Sequence, residues 1–419
     1  MIVGILGLFP TRAFSAWRGR SSLSNRNWQL TCLLIAVSVA CGWTAWSGHV
    51  LALPVAVLFP TLWAMSPSRL TAVLVSAGYF LAASRGLPQG VANYYAADLW
   101  PGLLLWTAAS LSFAGVHAAL WKARPEGKSP GEGRTGMAPR YLAAAMLMGL
   151  PPLGITGWAH PLTAAGVLFP GWGWWGLVAM TAGLAMMTSR YWPATAIVLG
   201  GLWLWSTATW TSPDLPEGWK GVDLEQGEKL GRDGSLGYHR DLIATMLAAA
   251  SAKTRFIVLP ESALGFWTPT VARFWQRGLR GSELTVIAGA AVIDPGGYDN
   301  VMVAISADEA RILYRERMPV PVSMWQPWQA WTGQGGGARA NLFGNPVVQS
   351  EGQRLAALIC YEQLLLWPVL QSMLHSPTAI VAPGNGWWTA GTSIVAIQNA
   401  SVVAWAKLFG LPVVTAFNR

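Results

Sequence analysis

One cysteine stands alone in the second half of the chain. Cys360 closes the apolar run Leu355-Ala356-Ala357-Leu358-Ile359 and precedes Tyr361-Glu362. The run predicts a buried strand and the residues after it predict a helix. A thiol at such a turn sits near a helix N-terminus, where the dipole favours the thiolate. Beside a base, that thiol is a nucleophile for acyl transfer. The candidate base is Glu261, which follows a second apolar run, Phe256-Ile257-Val258-Leu259-Pro260. A third run, Ala379-Ile380-Val381-Ala382, leads into Pro383-Gly384-Asn385-Gly386-Trp387-Trp388. Ligands of α/β sheets bind outside the carboxyl ends of the strands, so three run ends point to one site. Singly, each residue has a structural use: Glu261 as a cap, Cys360 as a small packer, Glu362 as an acid favouring a helix start. Jointly, Glu261 and Cys360 read as base and nucleophile.

The elements that must position them begin near Thr211. From there short apolar runs alternate with helical patterns. Asp241 to Lys253 predicts a helix, and Leu284 to Val292 a strand. Val301 to Ile305 and Arg311 to Tyr314 predict a hairpin-like pair. Glu362 to Leu374 predicts a helix, Thr378 to Ala382 a strand and Ile394 to Leu408 a helix. That alternation implies a layered α/β domain over 211–419.

Residues 1–210 follow a different grammar. They hold 12 Lys/Arg and 3 Asp/Glu, against 16 and 16 in residues 211–419, so the whole net charge of +9 lies in the apolar half. Seven apolar stretches can be drawn, at 28–46, 50–65, 70–84, 99–120, 141–158, 164–187 and 192–210, several of them shorter than the ~20 residues usual for a spanning helix. With the N-terminus inside, the inner loops carry Arg12, Arg18, Arg20, Arg26, Arg69, Lys122, Arg124, Lys128, Arg134, Arg140 and Arg190, and the outer loops only Arg85. This positive-inside bias predicts a multi-pass protein of the inner (cell) membrane, with 211–419 on the periplasmic side. Met1 to Pro10 reads as an interfacial segment and 122–140 as a disordered cytoplasmic loop; Gly127-Lys128-Ser129 lacks the context of a phosphate loop. The spans hold almost no ionisable residue beyond His117, which argues against ion-coupled transport. The neutral second half argues against direct nucleic-acid binding. Cys32 and Cys41 read as apolar packers, no cysteine spacing fits a metal site, and no cofactor is expected.

Leu259-Pro260-Glu261-Ser262, Tyr314 to Pro321, Ile359-Cys360-Tyr361-Glu362 and Asn385-Gly386-Trp387-Trp388 together resemble the nitrilase (carbon–nitrogen hydrolase) superfamily. With membrane spans in front, the architecture is similar to the apolipoprotein N-acyltransferases. The Trp-rich segments and the ending Phe417-Asn418-Arg419 look closer still to the conjugal-transfer TraB group of Agrobacterium and Rhizobium plasmids. The resemblance implies an α-helical membrane domain followed by a nitrilase-like α/β sandwich. It implies Glu261 as general base, Cys360 as the residue that forms an acyl thioester, and Glu362 as the acid following the cysteine. Asn385 and Trp387 are expected to line the site.

Two departures accompany the resemblance. The family places a lysine where this chain has Glu316, in Tyr314-Arg315-Glu316-Arg317-Met318-Pro319. Arg317 or Arg315 is the candidate substitute cation, although neighbours on a strand face opposite ways. The chain also ends at Arg419, so the sandwich is expected to be C-terminally shortened, with an edge that a partner subunit would cover. The expected partners are membrane lipids, an acyl-accepting protein or amine, and other conjugation proteins. The alternative is a catalytically impaired scaffold.

Overall fold

The computed structural model describes residues 12–123, 136–232, 234–332 and 336–419. The readings of Met1 to Pro10 and of most of the 122–140 loop therefore lie outside the described residues.

The apolar stretches of the first half become helices of unequal length: α1 (Arg12–Ala45), α2 (Phe59–Met65), α3 (Arg69–Ala83), α4 (Leu87–Tyr95), α5 (Leu99–Leu120), α6 (Met137–Gly149), α7 (Ala165–Leu168), α8 (Gly173–Met187) and α9 (Trp192–Ala208). Among the described residues only α5 and the Trp28–Ala45 part of α1 are long and apolar enough to cross a membrane alone. The α3–α4 pair, bent by 50°, makes a third if counted as one span. Seven apolar stretches therefore give two or three candidate spans rather than seven. Proline and glycine shorten the rest: α6 stops at Gly149 before Pro151-Pro152, and Pro170-Gly171 separates α7 from α8.

The second half carries β1 (Trp219–Gly221), α10 (Leu236–Ala249), β2 (Phe256–Val258), α11 (Pro269–Gly278), β3 (Thr285–Asp294), β4 (Gly297–Ile305), β5 (Ala310–Arg315), β6 (Val348–Ser350), β7 (Gln353–Ala357), α12 (Leu366–Met373), β8 (Ala379–Asn385), α13 (Ile394–Phe409) and β9 (Val413–Asn418). One sheet runs β1-β2-β3-β4-β5 and the other β6-β7-β8-β9. The central pairings β1-β2, β2-β3, β7-β8 and β8-β9 are parallel, and β3-β4, β4-β5 and β6-β7 are antiparallel.

Alternation along the strands sorts the core into layers. Val258, Ile287, Met302 and Tyr314 of the first sheet meet Leu355, Ala357, Val381 and Val414 of the second in one buried cluster. On the other face of the first sheet, Ile257 and Val286 pack with Met246 of α10 and Trp275 of α11. Ala356, Ile380 and Ala382 turn outward from the second sheet and join Val402 and Trp405 of α13. That cluster continues without a seam into Phe59, Trp63 and Ala165 of the helical half. The contact is close: a Cβ on Gly166 of α7 would lie 1.8 Å from the Ala404 carbonyl oxygen of α13. The α/β/β/α sandwich thus rests its second sheet and α13 directly on the helical half.

The last strand, β9, stays at the edge of its sheet, and its end is bridged by Leu224. Leu224 N–H donates to the Phe417 carbonyl and Arg419 N–H to the Leu224 carbonyl, both at 2.9 Å. The short strands β1 and β6, the last strand β9 and helix α11 are absent from the sequence-based expectation. The first two have only three residues each, too few for a period to register.

Candidate active site

Cys360 does not open a regular helix. It begins a five-residue 3₁₀ turn, Cys360–Leu364, ahead of α12, and its φ is +43°. A non-glycine residue in this left-handed region is strained, and the surroundings hold it there. Glu362 does most of this: its two carboxylate oxygens accept from Ile359 N–H (2.8 Å), Arg317 N–H (2.8 Å) and the Tyr314 hydroxyl (2.7 Å). The guanidinium of Arg317 lies 3.5 Å from the same carboxylate, with both side chains fully buried. Glu362 therefore ties the cysteine turn to the end of β5.

Glu261 leaves the end of β2 in a turn pressed against β3. Gly289 makes this possible, because a Cβ there would lie 2.5 Å from Glu261 Cα. The Glu261 carboxyl lies beside the Cys360 thiol and Asn385, and all three line one cavity. The expected base and nucleophile thus meet, although 99 residues separate them in the chain. Gln398 of α13 also donates to the Cys360 sulfur, at 3.6 Å.

The thiol is not a preformed thiolate. Burial, with the negative charges of Glu261 and Glu316 beside it, pushes Cys360 well above the usual thiol range. The expectation of a dipole-activated thiolate is thereby corrected: a five-residue turn brings little dipole, and desolvation and two carboxyl groups outweigh it. Burial likewise raises the Glu261 carboxyl, against the hydrogen bonds that favour its ionised form.

Neither arginine replaces the family lysine. Arg317 turns to the opposite side, where it donates to the Tyr314 hydroxyl (2.9 Å), Gln371 (3.1 Å), Ser372 (3.0 Å) and the Ala357 carbonyl (3.3 Å). Arg315 is paired with Asp299. Glu316 lies behind the cavity wall and is linked to Glu261 through Asn300. The Asn300 amide nitrogen donates to Glu261 at 2.6 Å and to Glu316 at 2.8 Å, so one side chain bridges two buried carboxyl groups. Burial and the charges of Glu261 and Glu362 hold Glu316 well above the usual carboxylic range.

A cavity of about 370 Å³ opens over this cluster, walled by Glu261, Asn300, Cys360, Asn385 and Trp387 on one side and by Leu87, Val91, Tyr94 and Leu105 of the helical half on the other. Tyr94 of α4 stacks on Trp387 with ring centroids 5.8 Å apart. A second, almost wholly apolar cavity of about 130 Å³ also touches Cys360 and runs between Trp46, Ala83, Ala109, Trp158 and Ile397. Asn385 and Trp387 line the cavity; Glu316, Arg317 and Glu362 lie outside its wall. Asn300, Gln398 and Tyr94 were not anticipated, since isolated polar or aromatic residues on a strand or helix carry no motif. The ending Phe417-Asn418-Arg419 acquires a role: buried Asn418 donates to the Asn385 side chain at 2.8 Å and steadies the turn that bears it.

The family model of carbon-nitrogen hydrolases matches residues 81–407. The conjugal transfer protein TraB of Agrobacterium fabrum is 72% identical over 410 residues, 97% of each chain. The chain belongs to the TraB branch of the carbon–nitrogen hydrolase family. A probable conjugal transfer protein TraB of Sinorhizobium fredii is 61% identical over 386 residues, covering 92% of this chain and 97% of that one. Among solved structures, an amidase from Nesterenkonia sp. shares 11% identity at a TM-score of 0.35, over 50% of this chain and 78% of that chain. The family match begins within α3 and so includes the α4 and α5 residues that wall the cavity.

Proposed function

We propose that this protein is a membrane-anchored acyl-transfer enzyme that works through a thioester on Cys360. Glu261 takes the thiol proton and afterwards activates the attacking amine or water. The observation that carries this reading is a thiol beside a buried carboxyl group, in a cavity wall where a mixed cavity and an apolar one meet. An apolar cavity that continues between the helices suits the acyl chain of a lipid better than a small amide. The apolar α1 and α5 support anchoring, and the positive-inside bias supports an inner-membrane, multi-pass chain with its sandwich on the periplasmic side. The names of the relatives support a role in plasmid conjugation, with an amine or protein acceptor and other conjugation proteins as partners.

The test uses the full-length protein in detergent with a phospholipid donor, and intact mass before and after hydroxylamine. Wild type gains a hydroxylamine-labile acyl mass and Cys360→Ala does not. No adduct on wild type, together with full conjugation by Cys360→Ala, refutes the reading. One observation favours a second reading, a catalytically impaired scaffold: Arg315 and Arg317 are held away from the cavity, and Arg232, which does line it, is paired with Glu228. A scaffold predicts normal conjugation by Cys360→Ser, and an enzyme predicts its loss.

A further inference from the structure

The site holds a buried acid, Glu316, with a bridging amide, Asn300, at the position where the family resemblance leads one to expect a lysine. Asn300 sits on β4 opposite the end of β5; its carbonyl accepts from Glu316 N–H at 2.8 Å. Its side chain is 3% exposed, lines the cavity above Cys360, and aims its nitrogen at both carboxyl groups. Glu316 is 2% exposed and outside the cavity wall, and its second oxygen has no partner. Nothing in this arrangement serves the fold cheaply, because two buried carboxyl groups on one neutral amide cost more than apolar residues would.

We infer that Asn300 supplies the oxyanion hydrogen bond for the reaction, and that Glu316 is the positioning residue that keeps its amide nitrogen turned inward. The inference rests on the acyl-transfer reading above. Before reaction, Asn300 donates to ionised Glu261. As the Cys360 sulfur bonds to the substrate carbonyl carbon, its proton passes to Glu261 and the carbonyl π pair becomes an oxyanion. Negative charge leaves Glu261 and appears on that oxygen in the same step. An N–H that faced the carboxylate is then better used by the oxyanion, and the amide already lies in the cavity wall. Collapse re-forms the carbonyl and breaks the bond to the leaving group, which takes the proton from Glu261. Glu316, on the second amide hydrogen, prevents Asn300 from flipping its carbonyl oxygen towards the developing charge.

Two reactions of one thiol test this. Acylation by p-nitrophenyl octanoate forms an oxyanion; alkylation by iodoacetamide does not. Both are measured on the full-length protein in detergent, across pH 6 to 9. An oxyanion donor accounts for about a hundred- to a thousandfold in rate. Asn300→Ala should therefore lower acylation by about that factor while alkylation changes less than about tenfold, and Glu316→Leu should do the same. The double variant should fall no further than either single one, since residues acting as a unit are not additive. Asn300→Ala with Glu316→Lys should recover acylation, because lysine supplies the missing donor. Asn300→Ser guards against misfolding, with retained pH-dependent alkylation as the sign of an intact site.

If acylation and alkylation fall together in folded variants, or neither falls, the inference is overturned and the thioester reading stands. If wild type alkylates but never acylates, both fail.

Discussion

Glu362 gives the most exacting test of how the site is built. Replacing it with alanine removes the acceptor of three hydrogen bonds and the counter-charge of Arg317, all at zero exposure. Breaking a buried pair by deleting one partner costs about 3–5 kcal/mol, because the remaining charge stays buried. Orphaned buried donors cost about 1–3 kcal/mol each. These terms overlap, and water can enter the vacated space, so the pair value of about 3–5 kcal/mol is the prediction for Glu362→Ala. Changing both partners, as Glu362→Leu with Arg317→Met, should cost less than Glu362→Ala alone, since no buried charge is left. Denaturant midpoints of the full-length protein in detergent, read by tryptophan fluorescence, measure both. The same variants should show faster proteolysis near residues 358–366, because Ile359 N–H is the link between Glu362 and the strained Cys360 turn. A loss under about 1 kcal/mol for Glu362→Ala, or a double variant worse than the single one, would refute the assignment of Glu362 as anchor of the turn.

Two further outcomes follow from the same geometry. Gly289→Ala should destabilise the protein by about 1–3 kcal/mol and slow Cys360 alkylation, because its Cβ would meet Glu261 Cα at 2.5 Å; unchanged melting and alkylation would contradict the close approach. The pH dependence of stability has a definite sign. Burial raises the Glu261 and Glu316 carboxyl groups above their ordinary value of 4.5, so the folded state holds these protons more tightly than the unfolded state. Their contribution to stability is complete below about 4.5 and is lost as pH rises through the folded values. Glu316→Gln should therefore raise the denaturation midpoint more at pH 8 than at pH 5, and a gain larger at pH 5 would reverse the argument.

The motif residues were legible because their signals are local. Strong apolar runs ending in Glu261, in Cys360 and before Asn385 mark strand ends, and strand ends meet in an α/β sandwich. Composition likewise divided a basic, apolar half from a neutral, mixed one. The span count was less legible, since hydropathy registers an apolar stretch but not the break at Gly149 or at Pro170-Gly171 that shortens its helix. The thiol's state was misread for a similar reason: the dipole is a property of the local turn, whereas desolvation depends on what the rest of the chain packs around it.

The sequence by itself therefore determined the family, the candidate nucleophile Cys360 and candidate base Glu261, and Glu316 at the position expected for a lysine, because each is a residue type at a motif position. Only the tertiary structure decided what stands in the lysine's place. Arg317 is one peptide from Glu316, yet the strand end sends it to Glu362 on the far side of the turn. Asn300 is 16 residues from Glu316, and antiparallel pairing of β4 with β5 sets it between the two carboxyl groups. The cavity wall is tertiary as well. Tyr94 reaches Trp387 only because the apolar faces of the helical half and the second sheet are buried against each other, and that burial places the thiol beside an apolar cavity in the helical half.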